Sequence, residues 1–294
     1  MKNNKNSPSN KGAPKWATAS IKQSLDDMQR LREVMHVSRA GIAALRGVPK
    51  IVEVLQKYGD GTPQEYSVDL ERATKEADFA QREVTEEFPV LHSWITVALW
   101  SHLEFCVRNF LIAQLKNDPS SWKLDSVLRV NVKLADFFAM KSEERSTFVI
   151  EQLEKDKLSG KTGIDRFEAL LEVFAFSGHV PKSVKDKIYE FQQIRNLIAH
   201  NSSRFDRRFK KSCPWVKGKH GLYISVTPQM LNTYFAATEL YILILICRIG
   251  EKYNIDMSSV LTDIARGAEE LASKKSKKRK PAPHKDKAHT RKTG

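Results

Sequence analysis

Arg195, Asn196 and His200 fall within six consecutive residues, Arg195-Asn196-Leu197-Ile198-Ala199-His200, and their types suit chemistry at a phosphodiester. Cutting RNA without a metal takes a base for the 2′-hydroxyl proton, a cation at the developing phosphorane charge and an acid for the leaving oxygen. Imidazole fits the first or the third role because its ordinary pKa lies near operating pH. A guanidinium fits the second, since its planar fork grips phosphate oxygens bidentately and stays charged. Asn196 can fix the imidazole tautomer or hold an adjacent backbone group. Together these side chains make a minimal ribonuclease set, provided that geometry brings them to one phosphate.

The surrounding pattern predicts one amphipathic helix over Lys182 to His200, with Pro181 and Ser183 near its start. At about 100° per residue from Ile188, the side chains of Phe191, Ile194, Ile198 and Ala199 share one apolar arc. Arg195, at about 340°, falls inside that arc. A guanidinium facing the packing side needs a carboxylate, carbonyls or a ligand phosphate. Asn196 at about 80° and His200 at about 120° lie together, with His200 about 140° round from Arg195. One straight helix therefore does not aim both at one atom. Either the helix bends at His200, or a second copy supplies the missing partner. The plainer account pairs Arg195 with Glu104 and leaves His200 as a cation favoured by the helix dipole.

Helical spacing also predicts helices over Ala17 to Leu45, Val48 to Tyr58, and Ser67 to Leu115 with a break at Phe88-Pro89. The portion from Leu91 to Leu115 is apolar nearly all round and should be central. Its Glu104 and Arg108 stand four apart, the spacing of a direct structural ion pair; the alternative is that Glu104 holds Arg195. Leu128, Val130, Val132 and Leu134 alternate as in a short strand. Helices follow from Ser142 to Leu158 and from Ile164 to Phe176. Between them, Ser159-Gly160-Lys161-Thr162-Gly163 lacks the first Gly of a phosphate-binding loop. Cys213 to Val216 and Leu222 to Val226 flank Lys217 to Gly221, which reads as a small β-hairpin. Thr227-Pro228 opens a long helix to about Tyr253, and Ser258 to Ser273 reads as a last one.

The net charge of +14 resides largely in the tails. Residues 1 to 15 carry +4 and residues 274 to 294 carry +9, which leaves +1 for the body. Both tails read as disordered and basic, the second as a non-specific nucleic-acid arm. Cys106, Cys213 and Cys247 have neither disulfide nor metal spacing, so a reducing compartment is expected. His92 and His102 read as core residues; His179 and His220 have no companion at metal-ligand spacing, so neither metal nor cofactor is expected. The N-terminus lacks the apolar core of a signal peptide, and the most apolar run, Leu240 to Ile246, falls short of the roughly 18 residues that cross a bilayer. A cytoplasmic protein without a membrane segment is expected.

Arg195-Asn196, then His200, resembles the signature of the HEPN superfamily (higher eukaryotes and prokaryotes nucleotide-binding): Arg, four to six residues, His, commonly with a polar residue after the Arg. The order of a hydrophobic helix, a late signature and a closing helix is also similar. With Arg204-Phe205-Asp206-Arg207-Arg208-Phe209 it looks like the abortive-infection branch, although Arg204 stands one place late and Asp206 replaces the usual amide. The resemblance covers Trp94 to Leu115 and Lys182 to Ile249. It implies a dimer whose signature helices face each other across a shared RNA-cutting cleft, with His200 in acid or base catalysis, Arg195 on the phosphate and Asn196 organising the site.

The expected architecture is an all-α, HEPN-like helical bundle with a hairpin insertion: a leader at 1 to 15, a helical region at 16 to 90, the bundle at 91 to 273 and a tail at 274 to 294. Arg204, Arg207, Arg208, Lys210 and Lys211 form a basic cluster that could track an RNA backbone, or simply a solvated loop. The first expectation for function is a metal-independent endoribonuclease, a toxin or antiviral effector acting on RNA as a homodimer, with an antitoxin as a further partner. The alternatives are a non-catalytic RNA- or nucleotide-binding module of the same fold and a helical interaction scaffold.

Overall fold

A computed structural model describes residues 12 to 59 and 61 to 273, and over these the protein is all-α. The basic leader to residue 11 and the tail from 274 lie outside the described residues. In chain order the helices are α1 (Lys15–Leu45), α2 (Val48–Tyr58), α3 (Pro63–Thr85), α4 (Pro89–Asn117), α5 (Asp125–Leu128), α6 (Leu134–Ala139), α7 (Ser142–Lys157), α8 (Asp165–Val173), α9 (Lys182–His200), α10 (Arg207–Ser212), α11 (Pro228–Lys252) and α12 (Ser258–Ser273).

Helices α4 and α11 form the centre, because each is apolar on more than one face. α4 buries Ile95, Leu99, Leu103, Phe110 and Leu111 among others, and α11 buries Leu231, Tyr234, Tyr241 and Leu245. By length and apolarity both could cross a bilayer; here they pack against each other and against α9 and α1. The stripe Ala17, Ile21, Ser24 and Met28 seats α1 in the core shared with α4, so packing crosses the expected boundary at residue 90. Arg32 of α1 reaches Glu239 of α11 at 2.8 Å.

A stack of rings sets the rotation of α9. Phe191 lies between Trp100 of α4, edge-on at 5.3 Å, and Tyr234 of α11, stacked at 4.9 Å. Such pairs add about 1 kcal/mol beyond their burial. Val184, Ile188, Ile194 and Leu197 fill the same seam at 0–3% exposure. Gly163 fixes the approach of α8: its φ is +57°, its amide donates to Gln192 Oε1 of α9 at 2.6 Å, and an added Cβ would meet the Tyr189 backbone at 3.2 Å.

Two expected extended elements are replaced. Residues 128 to 134 form no strand; helix α5 and the start of α6 flank a short extended link, and Leu128 is exposed. The hairpin between Cys213–Val216 and Leu222–Val226 is absent too. The segment after Gly221 pairs instead with the chain just beyond α9, through Phe205 N to Leu222 O at 2.9 Å and Ile224 N to Ser203 O at 2.7 Å, which gives an isolated Arg204–Tyr223 bridge. Cys213 closes α10, where a polar loop was expected.

Candidate functional site

Helix α9 runs unbroken through His200 and ends at Asn201, so the bend that would turn His200 toward Arg195 is not present. Ser202 and Ser203 then adopt left-handed φ of 47° and 59°, and the Ser203 amide returns to Leu197 O at 3.0 Å. This reversal carries the chain back alongside residues 221 to 224.

Arg195 is half-buried, and no carboxylate lies within ion-pair reach of it among the described residues. Its Nη1 donates to Asn196 Oδ1 at 3.3 Å, while its Nε is buried without a hydrogen-bond partner. Asn196 is half-buried and His200 is exposed at the end of the helix, without a side-chain hydrogen bond among the described residues. Thus Arg195 and Asn196 are brought together, and His200 stands apart on another side of the same helix. Ala199 is exposed, contrary to its expected place on the apolar arc.

The supporting pair is re-partnered. Arg108 does not pair with Glu104 on α4; its Nε and Nη2 both reach Glu154 of α7, with Nε to Oε1 at 3.0 Å. Glu104 reaches Arg166 of α8 at 3.5 Å, not Arg195. Neither residue supports the signature directly.

The basic cluster divides in two. Arg204 stacks on the Tyr223 ring at 4.0 Å and donates to Gly221 O and Tyr223 Oη, clamping the return segment. Lys210 is half-buried, with Nζ donating to Val216 O at 3.3 Å. Arg207, Arg208 and Lys211 are exposed on α10, whose first turn is capped by Asp206: its Oδ1 accepts from Phe209 N at 2.6 Å. A carboxylate at that position is therefore a helix cap.

Composition and spacing gave no hint of a buried carboxylate on α9. Glu190, 6% exposed, accepts from Trp215 Nε1 at 2.6 Å and from Tyr234 Oη at 3.1 Å, and pairs with Lys187 at 3.1 Å. Burial, then the nearby Glu190 charge, raises the Tyr234 phenol well above its ordinary value and pushes the Cys213 thiol up to about 12. Both stay protonated and serve structure. Only the helical phase of Glu190 beside Phe191 could have pointed to it.

Beside the end of α9 lies a largely apolar groove of about 650 Å³, lined by Val90, Trp94 and Val97 of α4, Ile198 and Ala199, and Tyr223. Trp94 is 69% exposed, more than Val90 or Phe105 on the same helix. Among the described residues no three His, Cys, Asp or Glu side chains are grouped so as to hold a metal ion.

Over the described residues, fold and site thus define an all-α protein whose late amphipathic helix presents a guanidinium with no carboxylate on it and an exposed imidazole at its end. Comparison with family models, with characterised proteins and with solved structures finds no match to this chain.

Proposed function

We propose that this protein is a metal-independent endoribonuclease of the HEPN type, acting in the cytoplasm as a toxin or antiviral effector. One observation carries the reading: Arg195 is held half-buried at the signature with no carboxylate on it among the described residues, its Nη1 engaged only by Asn196 Oδ1 at 3.3 Å. A guanidinium so placed retains donors for a phosphate. The plainer account required Glu104 as its partner, and Glu104 is on Arg166.

In this reading Arg195 binds the phosphate, His200 transfers the proton, and Asn196 steadies Arg195 through its Oδ1. Arg207, Arg208 and Lys211 follow the RNA backbone, while Arg204 and Lys210 hold the loop that presents them. A homodimer through α9 and the exposed Trp94 edge supplies His200 of one copy to Arg195 of the other. An antitoxin would act by covering the same face. A non-catalytic RNA- or nucleotide-binding module would use the same cations without the His200 step.

The test is cleavage of a long RNA in EDTA by purified protein and by the Arg195→Ala and His200→Ala variants. Wild type should leave cyclic-phosphate ends, with each substitution lowering the rate by about 10²- to 10⁴-fold. Binding without cleavage would favour the non-catalytic module. Cleavage that persists in both variants would remove the signature from the mechanism.

A further inference from the structure

Away from α9, helices α4, α7 and α8 enclose a cleft of about 480 Å³, a volume usual for small-molecule sites, and none of its lining residues belongs to α9. Its apolar side is Phe167, buried, and Phe105, half exposed. Its polar side is Glu104, Arg108, Glu154, Lys155 and Arg166.

The charge left over in this cleft has one sign. Glu154 takes two donors of Arg108, and Glu104 takes Arg166 through a single long contact at 3.5 Å, so both carboxylates are already held by cations. Arg166, its side chain 30% exposed, makes no other ion pair or side-chain hydrogen bond among the described residues, and Lys155 is exposed with no ion-pair partner among them. Three cations face two carboxylates, leaving the cleft at +1. Unspent donors on fixed cations call for a ligand that brings several acceptors and negative charge, and phosphate oxygens fit a guanidinium edge best. The exposed Phe105 ring beside them offers a stacking surface for a flat group.

We propose that the cleft between α4, α7 and α8 binds a phosphate monoester carried on a planar apolar body. The phosphate takes Arg166 Nη2 and Lys155, displacing the long Glu104 contact, and the planar group lies against Phe105. This chemistry can come from a free mononucleotide or from the 5′-phosphorylated end of an RNA.

Isothermal titration of the full chain with inorganic phosphate, phenyl phosphate and adenosine monophosphate tests the site. A second arm compares one short RNA with a 5′-phosphate and with a 5′-hydroxyl. The two monoesters should bind at least about tenfold tighter than inorganic phosphate, and Arg166→Gln and Phe105→Ala should each weaken them about tenfold. Glu104→Gln, which removes the competing carboxylate, should strengthen binding. In Arg195→Ala, which removes the phosphate contact of the ribonuclease reading, the two monoesters should still bind at least about tenfold tighter than inorganic phosphate, which separates the two sites. Preference for the 5′-phosphorylated RNA over the mononucleotide identifies an RNA end as the source, and the reverse identifies a free nucleotide. No saturable binding, no gain over inorganic phosphate, or undiminished binding by variants that melt like wild type would overturn the proposal.

Discussion

Two histidines on α4 give this protein a defined response to acid, independent of whatever His200 does. His92 is 1% exposed, with Nδ1 on Val226 O at 3.0 Å and a buried Nε2 that has no partner. His102 likewise buries its Nε2. Burial is the largest influence on both and lowers their pKa below the ordinary 6.5. Above about pH 6.5 both states of each group are neutral and nothing changes. As pH falls from 6.5 toward the lowered folded values, the unfolded chain takes up protons that the folded chain refuses, so stability is lost in that window. Urea midpoints measured between pH 8 and pH 5 should fall below pH 6.5, and His92→Gln should flatten part of the decline. A midpoint that rises on acidification would contradict the burial. At the same scale, Glu190→Ala leaves Lys187, Tyr234 and Trp215 without their acceptor and should cost about 3 kcal/mol in urea unfolding, since it strands a largely buried cation and the buried Tyr234 hydroxyl.

At the scale of elements, the junctions bordering the site are held by side-chain caps. Glu83, 3% exposed near the end of α3, accepts from the first-turn amides Val90 N at 3.2 Å and Leu91 N at 3.3 Å, while Glu87 and Phe88 between them adopt left-handed φ of 61°. Glu83→Ala removes both bonds and should lower stability by about 1–2 kcal/mol, measured by urea unfolding. Asp206→Ala should cost about 1 kcal/mol and loosen α10, and on the ribonuclease proposal it should weaken RNA binding without touching Arg195 or His200. The reversal at α3 and α4 was readable as Phe88-Pro89, because proline tolerates only the start of a helix. The bounds of α2, α9 and α12 were readable for the same local reasons. Pairing was not. Leu222, Ile224 and Val226 do alternate, with Ile224 and Val226 buried and Leu222 exposed, but Leu222 and Ile224 pair with Ser203 to Phe205, which has no strand signature, and Val226 O meets His92 Nδ1. Glu104 and Arg108 satisfy a helix-local spacing and still choose Arg166 and Glu154, because α7 and α8 bring those side chains in from distant sequence. Spacing within a helix is local physics; the choice of partner is settled by packing.

At the scale of the whole molecule the question is whether one chain holds a complete site. With α9 continuous through His200, helical phase leaves Arg195 and His200 about 140° apart, and Phe191 held between Trp100 and Tyr234 fixes which way each of them faces. A twofold pairing that brings the Trp94 and Ile198 edge of one copy against the same edge of another would juxtapose Arg195 of each with His200 of the other. Such a contact is isologous, so each dimer would hold two composite sites. This arithmetic gives a test that single substitutions lack. Arg195→Ala and His200→Ala proteins, each inactive alone, should regain cleavage when unfolded together and refolded. In a mixed dimer one site receives an intact Arg195 from one chain and an intact His200 from the other, and the second site receives neither. With half of the dimers mixed and one of two sites intact in each, the recovered rate should approach about a quarter of wild type. Trp94→Glu placed in both chains should abolish the recovery and halve the mass seen by light scattering, while leaving the helical content unchanged. Full loss of cleavage with no recovery on mixing would mean that both groups act from a single chain.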